Sequence, residues 1–229
     1  MIVLMSAFLL LSAFSCGGGN KANSTSEQSE ETAVNVPQFD ADSAYLYVKN
    51  QVDFGPRVPN TKEHVACGNY LAGQLEAFGA QVTNQYADLI AYDGTLLKAR
   101  NIIGSYKPES KKRIALFAHW DTRPWADNDP DEKNHNTPIL GANDGASGVG
   151  ALLEIARLVN QQQPELGIDI ILLDAEDYGA PQFYTGQHKE EFWCLGSQYW
   201  ARNPHVQGYN ARFGIPVSYT HLRAHETDS

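Results

Sequence analysis

Arg113-Ile114-Ala115-Leu116-Phe117-Ala118-His119-Trp120-Asp121 opens the stretch of sequence that decides the fold, and Ile168-Asp169-Ile170-Ile171-Leu172-Leu173-Asp174-Ala175-Glu176-Asp177 closes it. Each segment begins as an apolar run of strand length and stops at acidic residues, which is typical of a strand covered on both faces. Between them, the residues after Asp144 have the apolar periodicity of a helix. Strand, helix and strand in this order predict two parallel strands joined by a right-handed crossover.

The segments before this unit complete the predicted fold class, which is α/β. Apolar spacing predicts helices over Asp40–Val52 and Thr61–Phe78, and Gln81–Ala87 and Ala99–Gly104 resemble strands. The polar segment Lys107–Lys112 is predicted to be a hairpin loop between two strands. We expect a three-layer sandwich with a mostly parallel central sheet and helices on both of its faces.

Helical periodicity also predicts which side chains are buried. Val65 falls close to the apolar face of its helix, whereas His64 falls on the polar side and is expected at the surface. In the helix after Asp144, Glu154 and Arg157 are expected to point outward.

Two further features concern loops and thiols. The acids between residues 127 and 132 lack the regular spacing of a calcium loop, so we expect a solvated acidic loop. Cys67 and Cys194 either form a disulfide or are two separate buried thiols, and the sequence leaves both alternatives open.

Composition limits the possible partners. The chain has 229 residues, 42% of them hydrophobic, which suits one α/β domain with a substantial core. Its formal charge is -10 at pH 7, and the body of the chain has no basic cluster. Nucleic acid is therefore not expected as a partner.

The N-terminus reads as an export signal. Met1–Ser15 is apolar but too short to span a bilayer, and Cys16 follows it directly. This arrangement resembles a bacterial lipoprotein signal, in which Cys16 would carry the lipid. We expect residues 1–16 to be a signal peptide, residues 17–38 a flexible tether, and the protein to be exported as a periplasmic or outer-membrane lipoprotein of a bacterium. Any membrane contact is expected only through the lipid anchor.

The C-terminus is expected to be incomplete. Residues 39–214 are predicted to form the domain, and apolar periodicity is lost after Phe213. The segment Ser218–Ser229 resembles tails found on incomplete gene models, where adapter DNA has been translated. We therefore expect residues 215–229 to be non-native, and the native C-terminal part of the domain to be missing.

The acids at the strand ends suggest a zinc site. Hydrolytic zinc sites take histidine and carboxylate ligands, and a nearby unbound carboxylate acts as general base. Glu176 and Asp177 are adjacent at a strand end, so one can face a metal and the other a substrate proton. His119 and Asp121 lie two apart, where the acid can orient the imidazole.

Three segments together resemble the zinc-site motifs of the zinc aminopeptidase family that includes the glutaminyl cyclases. They are His119-Trp120-Asp121, residues 141–148 (Gly-Ala-Asn-Asp-Gly-Ala-Ser-Gly) and Asp174-Ala175-Glu176-Asp177. The resemblance is strongest to the bacterial glutaminyl-peptide cyclotransferases, and it extends to residues 54–59, 119–127 and 193–197. The set of motifs in this order is specific, although each one alone is weak.

This resemblance implies roles for individual residues. Asp144 and Asp177 would be zinc ligands, and Glu176 the acid/base that moves a proton from the substrate amine to the leaving ammonia. His119 would be a ligand only if the site holds two zinc ions. The third ligand in the cyclases is a downstream histidine. None of the candidates (His205, His221 and His225) has a matching context, so we expect an incomplete site in this chain and a fragment without activity.

We expect a zinc-dependent glutaminyl-peptide cyclotransferase, which converts the N-terminal glutamine of peptides or proteins to pyroglutamate and releases ammonia with one zinc ion. One alternative is an aminopeptidase with two zinc ions on the same scaffold. Another is a non-catalytic envelope binding protein. The aromatic residues Trp193, Phe183 and Tyr184 either wall a substrate pocket or pack within their loop.

Overall fold

The structure is a computed structural model that describes residues 36–217. It contains four α-helices and five strands in this part of the chain. The helices are α1 (Ala41–Val52), α2 (Lys62–Ala77), α3 (Gly148–Gln162) and α4 (Leu195–Arg202), and the strands are β1 (Gln81–Ile90), β2 (Leu96–Tyr106), β3 (Arg113–His119), β4 (Gly167–Leu173) and β5 (Phe213–Pro216). Within these residues, no helix has the length and apolar character needed to cross a membrane. The signal peptide, Cys16, most of the tether and residues 218–229 lie outside the described range.

The five strands form one sheet in the order β1-β2-β4-β3-β5. β3 pairs in parallel with β4 and with β5, whereas β2 pairs antiparallel with both β1 and β4. The predicted α/β class is confirmed, and the parallel character of the sheet is partial, because β2 pairs antiparallel with both of its neighbours. The predicted hairpin loop at Lys107–Lys112 was wrong, since β4 lies between β2 and β3.

The β3–α3–β4 unit has the predicted parallel arrangement. Its register pairs Ile114 with Ile168 and His119 with Leu173, so both strands end at the same edge of the sheet. All seven residues of β4 are buried. This burial explains the continuous apolar run, because both faces of the strand contact protein.

Helices cover both faces of the sheet, which confirms the three-layer arrangement. On one face, Leu71 and Leu75 of α2 and Leu152 of α3 share a core cluster with Ile170 of β4. On the other face, Trp200 of α4 packs against a cluster around Ile171. Each side of the central strands therefore contributes to the core.

Some predicted side-chain positions were wrong. Val65 is 56% exposed, because the buried stripe of α2 runs through His64, Cys67, Leu71 and Leu75. This stripe has the helical spacing of an inward face, and Val65 lies about 100° away from it.

Glu154 of α3 is fully buried and does not point outward. Its carboxylate accepts hydrogen bonds from the Arg157 guanidinium at 2.6 and 2.7 Å and from the backbone N–H of Asp40 at 3.0 Å. A buried carboxylate is tolerated when its oxygens are paired in this way. The contact anchors the start of α1 to α3.

β5 (Phe213–Pro216) extends past Gly214, the residue at which the sequence analysis ended the domain. Its residues pair with Ile114–Phe117 of β3, and the backbone N–H of Val217 continues this pairing by donating to the carbonyl of Phe117 at 2.6 Å. The strand has only four residues and includes a glycine and a proline, which sequence patterns do not associate with strands.

Candidate metal centre

The carboxyl ends of β3 and β4 meet the start of α3 at one point. There, one ligand atom from each of His119, Asp144 and Asp177 lies within 4.8 Å of the others. His119 ends β3, and its Nε2 is 2.8 Å from Oδ1 of Asp144. The sequence motifs implied Asp144 and Asp177 as ligands and His119 as a ligand only with two zinc ions, and the fold brings the three residues together.

Asp121 ties the two strand ends to each other. Its carboxylate accepts hydrogen bonds from the backbone N–H groups of Glu176 at 3.0 Å and Asp177 at 3.1 Å. Its Oδ1 also lies 3.6 Å from Nδ1 of His119, close enough for an electrostatic contact with the imidazole. Asp121 therefore fixes the backbone that carries Glu176 and Asp177, in addition to facing His119 as predicted.

The loop before α3 gives Asp144 its position. Asp144 has extended backbone angles (φ -89°, ψ 112°), and Gly145 follows with a φ of 91°. A Cβ on Gly145 would lie 2.9 Å from the carbonyl oxygen of Asp121 and 3.3 Å from His119 Cε1. Only glycine allows this loop to approach the end of β3 so closely.

Two buried arginines hold the loops around the site, and sequence reasoning assigned neither of them a role. The Arg57 guanidinium donates to the carbonyls of Leu140 and Gly141, just before Asp144. The Arg123 guanidinium donates to the carbonyl of Asp177 at 3.0 Å. Buried loop carbonyls need hydrogen-bond donors. A single arginine within a motif of turn residues was therefore the sequence feature that could have indicated this role.

Arg123 also explains why the loop at residues 127–132 is only partly solvated. Asp127 is 5% exposed and accepts two hydrogen bonds from Arg123 at 2.5 and 2.6 Å. Burial raises the pKa of Asp127, but the hydrogen bonds from Arg123 and from the backbone of Gln182 outweigh it and hold this pKa below its usual value. The expectation of a solvated loop was wrong for this residue.

His64 is 3% exposed, so its predicted surface position was wrong. Its Nε2 lies 2.9 and 3.0 Å from the two carboxylate oxygens of Asp174, which is fully buried. Its ring stacks on the indole of Trp120 at 4.3 Å. The partner lies 110 residues away in the chain, so helical periodicity could not reveal it.

The electrostatics of the cluster fit a bound cation. Burial, together with Asp121, Asp144 and Glu176, raises the pKa of Asp177 to about 8, although His119 opposes the rise. Oδ2 of Asp177 is buried and has no hydrogen-bond partner within residues 36–217. Burial lowers the pKa of His119, yet Asp121 and Asp144 raise it well above its usual value. A concentration of carboxylates of this kind is suited to a divalent ion.

A cavity of about 520 Å³ opens beside the cluster. His119 and Glu176 line it together with Cys194, and Phe117, Leu173 and Trp200 contribute apolar walls. Glu176 is 8% exposed. Glu176 is thus next to both the candidate metal centre and a space of ligand size.

The three aromatic residues predicted as pocket walls pack within the neighbouring loops. The Arg123 guanidinium lies over the Trp193 ring, 4.7 Å from the ring centroid. Tyr184 meets Tyr92 edge to face at 4.8 Å, and Phe183 stacks on His135 at 6.2 Å. These contacts show loop packing, and their part in a substrate pocket stays a prediction.

Of the three histidines considered as the third ligand (His205, His221 and His225), only His205 lies in the described range. Its Nδ1 accepts a hydrogen bond from the indole of Trp200, and it lines a separate cavity with Arg113. Arg113 begins β3 and His119 ends it. His205, which lies near Arg113, is therefore at the opposite end of the strands from the metal cluster. Cys67 and Cys194 are free thiols, so the disulfide alternative is not realised.

The fold and the cluster define an α/β protein with a carboxylate–histidine centre at the carboxyl edge of its parallel strands. The chain belongs to peptidase family M28, whose family model matches residues 101–217. This relationship agrees with the resemblance seen in the sequence motifs, and it implies zinc as the metal.

Solved structures show the same relationship at higher identity. The chain is 94% identical to glutaminyl cyclase of Bacteroides thetaiotaomicron bound to N-acetylhistamine, with a TM-score of 0.79, over 80% of this chain and 62% of that one. It is also 94% identical to a protein described as a leucine aminopeptidase precursor from B. thetaiotaomicron VPI-5482, with a TM-score of 0.79, over 80% of this chain and 63% of that one. A Zn-dependent exopeptidase from Parabacteroides distasonis is 63% identical, with a TM-score of 0.78, over 79% and 62% of the two chains. The chain thus spans somewhat under two thirds of the length of these relatives.

Proposed function

We propose that the protein is a zinc-dependent glutaminyl-peptide cyclotransferase, which converts an N-terminal glutamine to pyroglutamate and releases ammonia. The observation that carries the proposal is its 94% identity, across 80% of the chain, to a bacterial glutaminyl cyclase. The placement of Glu176 beside the cluster of Asp144 and Asp177 supports the same reaction.

The residues that would hold zinc are Asp144 and Asp177. Asp177 offers a buried oxygen without a hydrogen-bond partner in the described residues. Asp144 lies in the loop just before α3. When bound, zinc supplies Lewis acidity that polarises a substrate carbonyl. We propose one zinc ion for the cyclase.

Glu176 is proposed as the acid/base. Its carboxylate would accept a proton from the substrate's α-amino group as that nitrogen attacks the γ-carbonyl carbon. The new C–N bond closes the five-membered ring, and Glu176 returns the proton to the side-chain nitrogen, which leaves as ammonia. The hydrogen bond from the Glu176 backbone to Asp121 holds the backbone of this residue where it lines the cavity.

A second candidate is an aminopeptidase with two zinc ions. The contact of 2.8 Å between His119 and Asp144 favours it, because His119 would then become a ligand of the second ion. One of the relatives at 94% identity is described as an aminopeptidase precursor. In this reaction Glu176 would instead take a proton from a water molecule.

The remaining proposals concern location and substrate. We propose peptide or protein N-termini as substrates, and export with a lipid on Cys16, on the basis of the apolar segment and the cysteine that follows it. Mass spectrometry of the intact protein purified from membranes tests the lipid. Detection of an unmodified chain that begins at Met1 would contradict it.

The function is tested with protein produced from the gene recovered from genomic DNA. Purified protein is incubated with a peptide that begins with Gln and a matched peptide that begins with Leu, with and without a chelator, and the products are weighed. We expect loss of ammonia from the Gln peptide only, abolished by chelator and restored by zinc. Removal of the first residue from the Leu peptide would establish the aminopeptidase. Inertness toward both peptides in the zinc-loaded protein would favour a binding protein.

A further inference from the structure

A second histidine–carboxylate pair lies behind the candidate metal centre. His64 of α2 and Asp174, the residue directly after β4, are both buried and in contact through Nε2 and both carboxylate oxygens. Neither residue lines the cavity that contains Glu176. The pair therefore has no direct access to a substrate in that cavity.

The Asp174 carboxylate organises the backbone at the end of β4. Besides the contact with His64, it accepts hydrogen bonds from the backbone N–H groups of Arg100 at 2.6 Å and Ala175 at 2.7 Å. Ala175 has a φ of 52°, in the left-handed region that is unfavourable for a residue with a side chain. The hydrogen bond to Asp174 thus holds a strained residue immediately before Glu176 and Asp177.

Trp120 connects this pair to the residues of the metal centre. Its indole stacks on His64 and donates to the carbonyl of Arg100 at 3.1 Å. In the chain, Trp120 lies between His119 and Asp121. A displacement of His64 would consequently move residues at the end of β3 as well as at the end of β4.

Two aspartates therefore hold the segment 174–177 from its two ends. Asp174, backed by His64, binds the N–H of Ala175, and Asp121 binds the N–H groups of Glu176 and Asp177. We propose that His64 and Asp174 are positioning residues that set the direction of the Glu176 and Asp177 side chains. They act through the backbone and not by contact with substrate or metal.

The chain offers a matched control at the other end of β4. Tyr209 donates a hydrogen bond at 2.7 Å to Asp169, which is also a fully buried aspartate. Y209F and H64L each remove one side-chain donor from a buried aspartate of the same strand region. Only H64L does so next to Glu176 and Asp177.

The test compares H64L, H64Q and Y209F, made in the protein from the genomic gene. Zinc affinity is measured by calorimetric titration of the metal-free protein, and kcat and KM are measured on the Gln-initiated peptide. Partners behind metal ligands typically change affinity or activity by about 10–100-fold, so we expect H64L to lower both zinc affinity and kcat by about that factor, with little change in KM. H64Q can donate from a similar position and should recover most of the loss. Y209F should lower the melting temperature only.

Three results would overturn the inference: wild-type zinc affinity and kcat in H64L, an H64Q variant as impaired as H64L, or losses in Y209F that match those in H64L. If H64L does not fold, D174N is measured in its place with the same expectations. The activity readout rests on the proposed function, whereas the zinc readout does not. If the wild type releases no ammonia, the proposed function fails and the zinc titrations still decide this inference.

Discussion

A buried aspartate lies near each end of β4, and the surroundings of the two aspartates, Asp169 and Asp177, differ. Near the amino end, Asp169 accepts hydrogen bonds from Arg113, Ser105 and Tyr209 at 2.5 to 2.8 Å. Burial raises the pKa of Asp169, but the hydrogen bonds from Arg113, Tyr209 and Ser105 outweigh it and hold this pKa below its usual value.

Just past the carboxyl end of β4, the Asp177 carboxylate forms no ion pair with an arginine or lysine among residues 36–217, and His119 is its cationic neighbour. Burial and the neighbouring acids raise its pKa to about 8. One of its oxygens has no hydrogen-bond partner in the described chain. The strand thus has a fully paired carboxylate, Asp169, near its amino end, and an incompletely paired one, Asp177, four residues past its carboxyl end. An unsatisfied, perturbed group beside a cavity indicates function, whereas a fully paired group indicates structure.

The largest expected effect is on catalysis at the carboxyl end. E176Q removes the proposed acid/base and should lower kcat by about 10²–10⁴-fold, the usual contribution of general acid–base catalysis. Ammonia release from the Gln-initiated peptide measures this. E109Q, at an exposed position beyond the amino end of the sheet, is the matched control. Near-normal kcat in E176Q would show that another group moves the proton.

The next effect concerns stability at the amino end. D169A leaves the buried Arg113 guanidinium without its carboxylate, and uncompensated buried charges typically cost about 3–5 kcal/mol. Urea unfolding should show this loss in the free energy of unfolding, while zinc affinity stays at the wild-type value. A D169A variant that is stable but binds zinc poorly would reverse the assignment of the two ends.

At the carboxyl end, D177N should affect metal binding and not stability. Its zinc affinity should fall by at least about 100-fold, because even changes to residues behind a ligand cost 10–100-fold. The metal-free variant should be at least as stable as the metal-free wild type at neutral pH, because folding raises the pKa of Asp177 to about 8 and this upward shift opposes folding at neutral pH. Calorimetric zinc titration and urea unfolding with chelator give both quantities. A large loss of stability in metal-free D177N would contradict this account.

The smallest expected effect comes from Y209F, which removes one of the hydrogen bonds to Asp169. Because Tyr209 is partly exposed, we expect a loss of about 1 kcal/mol in the free energy of unfolding. Arg113 and Ser105 continue to pair with the carboxylate. The same urea titration measures it, and a loss as large as that of D169A would mean that Tyr209, and not Arg113, dominates the amino end.

The predictable parts of the molecule were those encoded in local pattern. The continuous apolar runs of β3 and β4 and the acids that end them predicted the parallel pair, and His119, Asp144 and Asp177 do come together. Strand order was not predictable, because nothing local to β2 indicates that it pairs antiparallel with β4.

Buried polar residues were misjudged for a related reason. Glu154 and His64 are polar residues in helices with apolar periodicity, so that periodicity assigns them to the surface. Their burial depends on partners that only the fold brings close, namely the N–H of Asp40 and the carboxylate of Asp174. For such groups the energetic balance rests on tertiary contacts and not on the local sequence.

The most direct test of the difference between the two ends is a crystal structure of the zinc-loaded protein with diffraction data collected on both sides of the zinc absorption edge. We predict one anomalous peak, in contact with Asp144 and Asp177 at about 2.0–2.2 Å, the usual zinc–carboxylate distance. No anomalous peak is expected at Asp169. A second peak held by His119 would establish the two-zinc aminopeptidase arrangement, and the absence of zinc from Asp177 would contradict the assignment of the carboxyl end as the functional one.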